Sequence, residues 1–254
     1  MSAPRPMKGI LTYHSVDDTG SVISVSPDTF ARQMDWLAES GTPVLPLAEL
    51  LSPTCTTGVA LTFDDAFQNF ADVAWPIMKV HQLPATVYVP SDWVGRDNGW
   101  DADDTRIPLL PLMGWDVLTE LAADGLDLGG HTLSHPRLET LAGDSLTREI
   151  EQDRVRIGSE TGRAPTSFAY PYGTYVPATV SAVRQAGYAS AVTTEMRLLG
   201  DTIAPLELPR LDAFYFRDGD VLEQWGTERF RRFVRFRAGA RRVRRVLQRV
   251  RLVS

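Results

Sequence analysis

The sequence predicts an α/β protein whose parallel sheet curls into a barrel or partial barrel, and three observations lead there. Short apolar runs of four or five residues alternate with amphipathic helical stretches between residues 9 and 193, the pattern of strands joined by crossover helices. The unit recurs too often for a small open sheet, and 254 residues fit a single α/β barrel domain. Polar, chemistry-bearing side chains follow the carboxyl ends of the predicted strands, the edge at which active sites of parallel α/β proteins assemble.

Each element has its own signal. Residues 9–13 form an apolar strand that ends at His14. Residues 27–39 read as a helix: Ser26 can cap it, Pro27 suits its first turn, and Phe30, Met34 and Leu37 share a face. Residues 59–63 are a second strand, running into Asp64 and Asp65, and residues 69–81 are helical in pattern. A β-branched strand follows at 85–89. Residues 91–113 form a long loop with tryptophans and aspartates; loops of that length in compact domains are functional or disordered. A helix at 115–124 and a strand at 126–130 lead to His131, and a helix at 145–162 precedes a strand at 167–170. A helix at 177–187 and a strand at 189–193 complete the alternation.

Composition is that of a globular chain, with 43% apolar and 23% charged residues, which excludes disordered and collagen-like classes. No apolar run reaches the roughly 18 residues of a membrane span. Residues 1–10 lack the apolar stretch of a secretory signal, so the expectation is a cytoplasmic body. The single cysteine, Cys55, reads as a small loop or core side chain. Charge is unevenly spread: residues 1–228 hold 15 basic and 32 acidic residues, a net of -17, whereas residues 229–254 hold 11 arginines and no acid.

His131 and His135 form the strongest chemical pair, two imidazoles four residues apart, a ligand type suited to zinc and other late first-row divalent metals. Pro136 biases His135 out of the helical region, so a turn is expected there. Two histidines alone are as consistent with ordinary hydrogen bonding as with a metal, since a site needs more ligands. Asp64 and Asp65 supply them: one carboxylate with two histidines makes a facial triad with open positions, and the second carboxylate is left for general-base work. An acidic pair at a helix start is the plainer alternative.

The combination reaches a family. Thr62-Phe63-Asp64-Asp65, then His131-Thr132-Leu133-Ser134-His135-Pro136, then Ala169-Tyr170-Pro171-Tyr172-Gly173 resemble, in order and separation, the first three motifs of the polysaccharide deacetylases, the NodB-homology carbohydrate esterases. The resemblance covers roughly residues 8–215. It implies a distorted (β/α) barrel of the polysaccharide deacetylase type in a catalytic domain of residues 1–228. It also implies one divalent metal, zinc foremost with cobalt, nickel or manganese as alternatives, and removal of N- or O-acetyl groups from sugars, the expected substrate being an N-acetylated sugar or glycan. Asp64 would be the general base; Asp65, His131 and His135 would be the metal ligands; the Tyr172 N–H would help hold the oxyanion.

Two departures stand out. The third motif usually carries an arginine where Ala169 stands, and no histidine follows His135 to supply the late general acid. Leu11-Thr12-Tyr13-His14 resembles the N-terminal segment of the poly-N-acetylglucosamine deacetylase branch, whose barrel is circularly permuted, so His14 would be the acid. Leu208-Pro209-Arg210 resembles another segment of that branch, so Arg210 would replace the missing arginine. His81 reads as a helix-end residue contacting terminal carbonyls. Trp93, Trp100 and Trp115 suit either sugar stacking or core packing. Two other classes stay open: a metal-dependent hydrolase of a cyclic ureide or formamide, and a non-catalytic glycan-binding scaffold.

Residues 229–254 form a separate element. Phe230, Phe233, Val234, Val243, Val246, Leu247 and Val250 recur at helical spacing between arginines, which predicts a basic amphipathic C-terminal helix. Such a helix fits an anionic membrane surface; docking on the acidic body is the alternative, and nucleic acid is a lesser one. With no export signal read at residues 1–10, the expected surface is the inner face of a membrane and the expected substrate a lipid-linked or polysaccharide precursor.

Overall fold

The computed structural model describes residues 6–251, with side chains described as far as residue 240. A curled, wholly parallel sheet of seven strands organises it. In chain order the strands and helices are β1 (Lys8–Tyr13), β2 (Ser15–Val16), β3 (Ser24–Val25), α1 (Pro27–Glu39), α2 (Leu47–Leu50), β4 (Gly58–Phe63), α3 (Trp75–Val80), β5 (Thr86–Val89), α4 (Trp115–Ala123), β6 (Asp127–Gly130), α5 (Gly143–Thr161), β7 (Ser167–Ala169), α6 (Pro177–Gln185), β8 (Ser190–Val192), β9 (Leu211–Asp212) and α7 (Glu228–Arg251). The sheet runs β8-β7-β6-β5-β4-β1-β9, while β2 and β3 pair apart from it.

Side-chain alternation splits the strands between two cores. Leu11, Leu61 and Val87 face outward with Phe30, Met34, Met78 and Leu118 of the surrounding helices. The intervening residues Ile10, Ala60 and Tyr88 pack inward with Ala169, Val192 and Leu208, and Leu47 and Leu50 of α2 join this inner cluster. β4 is buried at all six positions, as a parallel strand covered on both faces must be. The two edges of the sheet meet through one short segment. Leu208 bridges Val192 beyond β8, and Leu211 pairs with Leu11 of β1. Arg210 lies between those pairings and is fully buried. This curled (β/α) sheet is the distorted barrel that the sequence predicts.

The predicted elements are present, and the differences are local. The helical stretch at 69–81 begins as a π-turn, Phe70–Ala74, before α3. α5 starts two residues earlier than expected and stops at Gly162, whose φ of 74° closes the helix in a left-handed cap. Neither the β2–β3 pair nor β9 was foreseen, because two-residue strands carry no periodicity to read. The loop at 91–113 is built of turns and is held by bridges from Phe67 to Leu112 and from Asp97 to Pro111. His81 does cap α3, but its imidazole contacts the Asp35 carboxylate of α1 at 2.7 Å, not terminal carbonyls.

The C-terminal helix forms, with one correction to its apolar face. Phe230 and Val234 are buried in the main core, where Phe230 stacks on Phe216 at 5.6 Å and meets Trp225 at 5.0 Å. These residues dock the first turns of α7 on the body and are not free for another surface. Burying a phenyl ring and a valine side chain against a preformed core outweighs their exposure on an isolated helix. The expectations for Val243, Val246, Leu247 and Val250 concern side chains outside the described residues. Among the described residues, no helix is long and apolar enough to cross a membrane.

Candidate active site

His14, Asp64, Asp65, His131, His135 and Tyr172, from the segments that follow four strands of the sheet, line one open cavity of about 510 Å³. Adjacent in sequence, Asp64 and Asp65 reach different partners because the chain turns sharply there, with Asp65 at φ 74° and Ala66 at φ 56°. Such left-handed values in non-glycine residues are uncommon and cluster at functional sites.

Asp65, His131 and His135 form a buried cluster whose ligand atoms lie within 4.8 Å of one another. Each histidine Nε2 is 3.4 Å from Asp65 Oδ1. His131 Nδ1 donates to the Ala169 carbonyl oxygen at 2.7 Å, which leaves the Nε2 lone pair aimed at the cluster. Burial pushes the His135 imidazole down to about 3, so that ring is neutral. Burial also works against protonation of His131, but the Asp65 and Asp64 carboxylates outweigh it and raise its pKa. The cluster thus attracts positive charge, and Asp65 Oδ1 is buried without a hydrogen-bond partner. A divalent cation fits this donor set and resolves both features.

Asp64 has a different environment. Arg210 Nη1 donates to Oδ1 and Nη2 to Oδ2, both at 2.6 Å. The guanidinium is itself fixed by Nε donating to the Thr193 carbonyl at 2.9 Å. Burial alone would raise the Asp64 pKa; the charge and hydrogen bonds of Arg210 overcome it and hold the carboxyl well below the usual range. His14 Nε2 stands 3.7 Å from Asp64 Oδ2. Tyr172, also on the cavity wall, occupies a left-handed turn at φ 58°. Its ring centroid is 4.8 Å from that of His135, and Arg137 lies 4.2 Å over its ring. The structure therefore brings together all seven residues singled out from the sequence, and Ala169 takes part through its carbonyl, which accepts from His131.

Other residues of the site carry weaker sequence signals. Trp100 forms a wall, its ring 4.6 Å from His135, while Trp93 Nε1 donates to the Ser134 carbonyl at 3.1 Å and Trp115 packs against the core. Asp101 also lines the cavity. Burial, reinforced by the nearby negative charge of Asp65, pushes its carboxyl up to about 6. The loop's length was the signal that it serves a function; which of its side chains enters the cavity had no periodicity to reveal it.

Comparison with known proteins agrees with this architecture. The chain is 24% identical over 203 residues to the poly-beta-1,6-N-acetyl-D-glucosamine N-deacetylase of Staphylococcus aureus, covering 75% of this chain and 69% of the relative. It is 26% identical to YxkH of Bacillus subtilis, whose name places it with the polysaccharide deacetylases, and spans 64% of that protein's length. It spans 35% of the Escherichia coli poly-beta-1,6-N-acetyl-D-glucosamine N-deacetylase at 24% identity, over 77% of this chain. Among solved structures, IcaB from Ammonifex degensii superposes with a TM-score of 0.72 at 22% identity, covering 89% of this chain and 97% of that one. The Streptococcus pyogenes deacetylase PplD in complex with acetate gives 0.67 at 24% identity, with coverages of 82% and 92%. These two likenesses are likenesses of fold. The family profile described as polysaccharide deacetylase matches residues 52–191, more than half of the chain and the stretch that carries the Asp64-Asp65, His131–His135 and Tyr170–Gly173 segments. On that match, and with those segments converging on one cavity, the chain belongs to the polysaccharide deacetylase family.

Proposed function

We propose that this chain is a metal-dependent carbohydrate de-N-acetylase, a hydrolase of a non-peptide carbon–nitrogen bond in an N-acetylated sugar or glycan. The observation that carries the reading is the division of labour between two adjacent carboxylates. Asp65 faces the Nε2 atoms of two histidines, and Asp64 is held by its own buried arginine beside a third histidine. A glycan-binding scaffold has no use for that separation.

Asp65, His131 and His135 would hold the metal, with zinc the first choice for this donor set. When bound, the metal supplies Lewis-acid polarisation of the acyl carbonyl and a water whose pKa falls toward about 7. The chain's own groups do the rest. Asp64 takes a proton from the attacking water as the carbon–oxygen bond forms. Arg210 fixes both Asp64 oxygens, which keeps the carboxylate ionised and in one rotamer but makes it a weak base. His14, 3.7 Å away, is placed to accept that proton in turn and to deliver it to the leaving nitrogen as the carbon–nitrogen bond breaks. The Tyr172 N–H supports the oxyanion. The products are acetate and a free amine.

The test is mass spectrometry of a panel of N-acetylated glycans, including β-1,6-linked N-acetylglucosamine oligomers and lipid-linked N-acetyl sugars. Loss of single acetyl groups with stoichiometric acetate supports the reading. Turnover confined to a cyclic ureide or a formamide would replace it by a different amide hydrolase.

A second reading concerns place. We propose that α7 holds the enzyme at an anionic membrane surface, the inner leaflet having the matching charge. Its support is the eleven arginines without an acid in residues 229–254 and the exposure of Phe236 among the described residues. Each basic residue near such a surface contributes about 1 kcal/mol. Because Phe230 and Val234 belong to the core, the informative truncation ends at residue 240. Six arginines are removed with residues 241–254, so co-sedimentation with anionic vesicles at low salt should fall sharply. Equal binding by both chains would remove the proposal.

A further inference from the structure

Two buried carboxylates on α5, outside the cavity, grip the loop that presents both histidines. The loop needs such a grip. Between His131 and His135 the backbone enters the left-handed region twice, at Thr132 (φ 70°) and at His135 (φ 60°). A β-branched residue there is a genuine outlier that persists only where the surrounding structure holds it. The loop is also buried, so its N–H groups need acceptors.

α5 supplies them. Its buried stripe is Leu146, Glu149, Ile150, Asp153 and Ile157, so two acids occupy positions where helical spacing puts apolar residues. Glu149 Oε2 accepts from the Ser134 N–H at 2.9 Å and Oε1 from the Ser134 hydroxyl at 2.8 Å. The Glu149 carbonyl accepts from the Leu133 N–H at 3.1 Å. One turn further on, Asp153 Oδ2 accepts from the His131 N–H at 3.0 Å, a donor it shares with the Val89 carbonyl at 3.1 Å. Inside the loop, Thr132 Oγ1 accepts from the His135 N–H at 3.0 Å. Asp153 is fully buried, and no cation is paired with either acid among the described residues. Their nearest donors are backbone N–H groups and hydroxyls. Burying an acid without a basic partner is costly unless hydrogen bonds meet it; Glu149 meets its donors with both oxygens and Asp153 with Oδ2, all on the histidine loop.

We propose that Glu149 and Asp153 are positioning residues that hold His131 and His135 in the geometry a metal ion requires. This rests on the metal-site reading above. The two carboxylates act through the loop backbone and touch neither substrate nor metal. Partners of this outer kind typically change metal affinity by about 10–100-fold.

The experiment is zinc affinity of the purified full chain, measured by competition with a chromophoric chelator, alongside thermal melting of the metal-free form. Binding by the parent tests the metal site itself; the ratio of variant to parent tests the clamp. Glu149→Ala and Asp153→Ala should each weaken zinc by about 10–100-fold. Glu149→Gln and Asp153→Asn, which keep one acceptor oxygen, should recover most of that loss. Ser134→Ala removes the hydroxyl from the loop side without altering α5, and should weaken zinc in the same direction if a helix variant fails to fold. Glu151→Gln, on the exposed side of the same helix, should leave affinity unchanged. Zinc affinity within about threefold of the parent for the alanine variants, with a lowered melting temperature alone, would make both acids ordinary fold residues and overturn the proposal. So would failure of the conservative variants to recover more than the alanine ones.

Discussion

Replacing Arg210 by methionine removes one partner of the ion pair at the centre of the site and leaves the other in place. Arg210 is fully buried and Asp64 nearly so, and the guanidinium satisfies both carboxylate oxygens. Breaking a buried pair from one side costs about 3–5 kcal/mol, because the remaining charge is uncompensated. For a chain of this size each kcal/mol shifts the melting temperature by roughly 2–4 °C, so the drop should be about 6–20 °C. The pH dependence has a definite sign. In the parent, Asp64 is held below its ordinary range, so the pair contributes stability above the unfolded carboxylate value and loses it only as pH falls through the lower folded one. In Arg210→Met, burial dominates and raises the carboxyl, so the penalty is full at neutral pH and shrinks as pH falls toward about 4. Adding Asp64→Asn to Arg210→Met should recover stability at pH 7 while leaving the enzyme inactive. Urea unfolding followed by circular dichroism at pH 7 and pH 4.5 reads all three. A single variant within about 1 kcal/mol of the parent at pH 7, or a pH-independent deficit that the second substitution does not reduce, would refute the assignment of that energy to the pair.

The remaining expectations concern chemistry and packing. Asp64→Asn should keep its metal, by elemental analysis, and lose about 10²–10⁴-fold in turnover; unchanged turnover at equal metal loading would remove Asp64 from the reaction. His14→Gln should lower kcat by a comparable factor of about 10²–10⁴ with zinc affinity intact, and a variant that loses zinc instead would mark His14 as a ligand. Gly130→Ala should destabilise the fold by roughly 1–3 kcal/mol, since an added Cβ would lie 2.1 Å from Tyr188 Oη and 2.7 Å from Asp153 Oδ2. A melting temperature equal to the parent's would show that this wall yields.

What the sequence discloses here follows from how each residue type announces itself. Asp64, Asp65, His131 and His135 are legible because metal and acid–base chemistry needs those side chains at strand ends, and each predicted strand is long enough to show its apolar run. Arg210 is harder: β9 has two residues, and only the short segment from Leu208 to Arg210 suggests that an arginine enters from the far end of the chain. Glu149 and Asp153 are illegible by composition, since acids on a helix ordinarily face water. Only their place within the apolar spacing of Leu146, Ile150 and Ile157 could have marked them as buried. Phe230 and Val234 fit a free amphipathic helix as well as a docked one, and the choice depends on Phe216 and Trp225, which tertiary folding alone brings to them.

On the proposed reading, Asp65, His131 and His135 hold the metal on which acetyl removal depends. The direct measurement is acetate release from an N-acetylglucosamine oligomer by chelator-treated protein titrated with zinc. No release is expected without metal, and release should rise and level off at one zinc per chain, an effect abolished in His135→Ala at the same zinc concentration. Release that persists without metal, or that follows the same titration in His135→Ala, would contradict it.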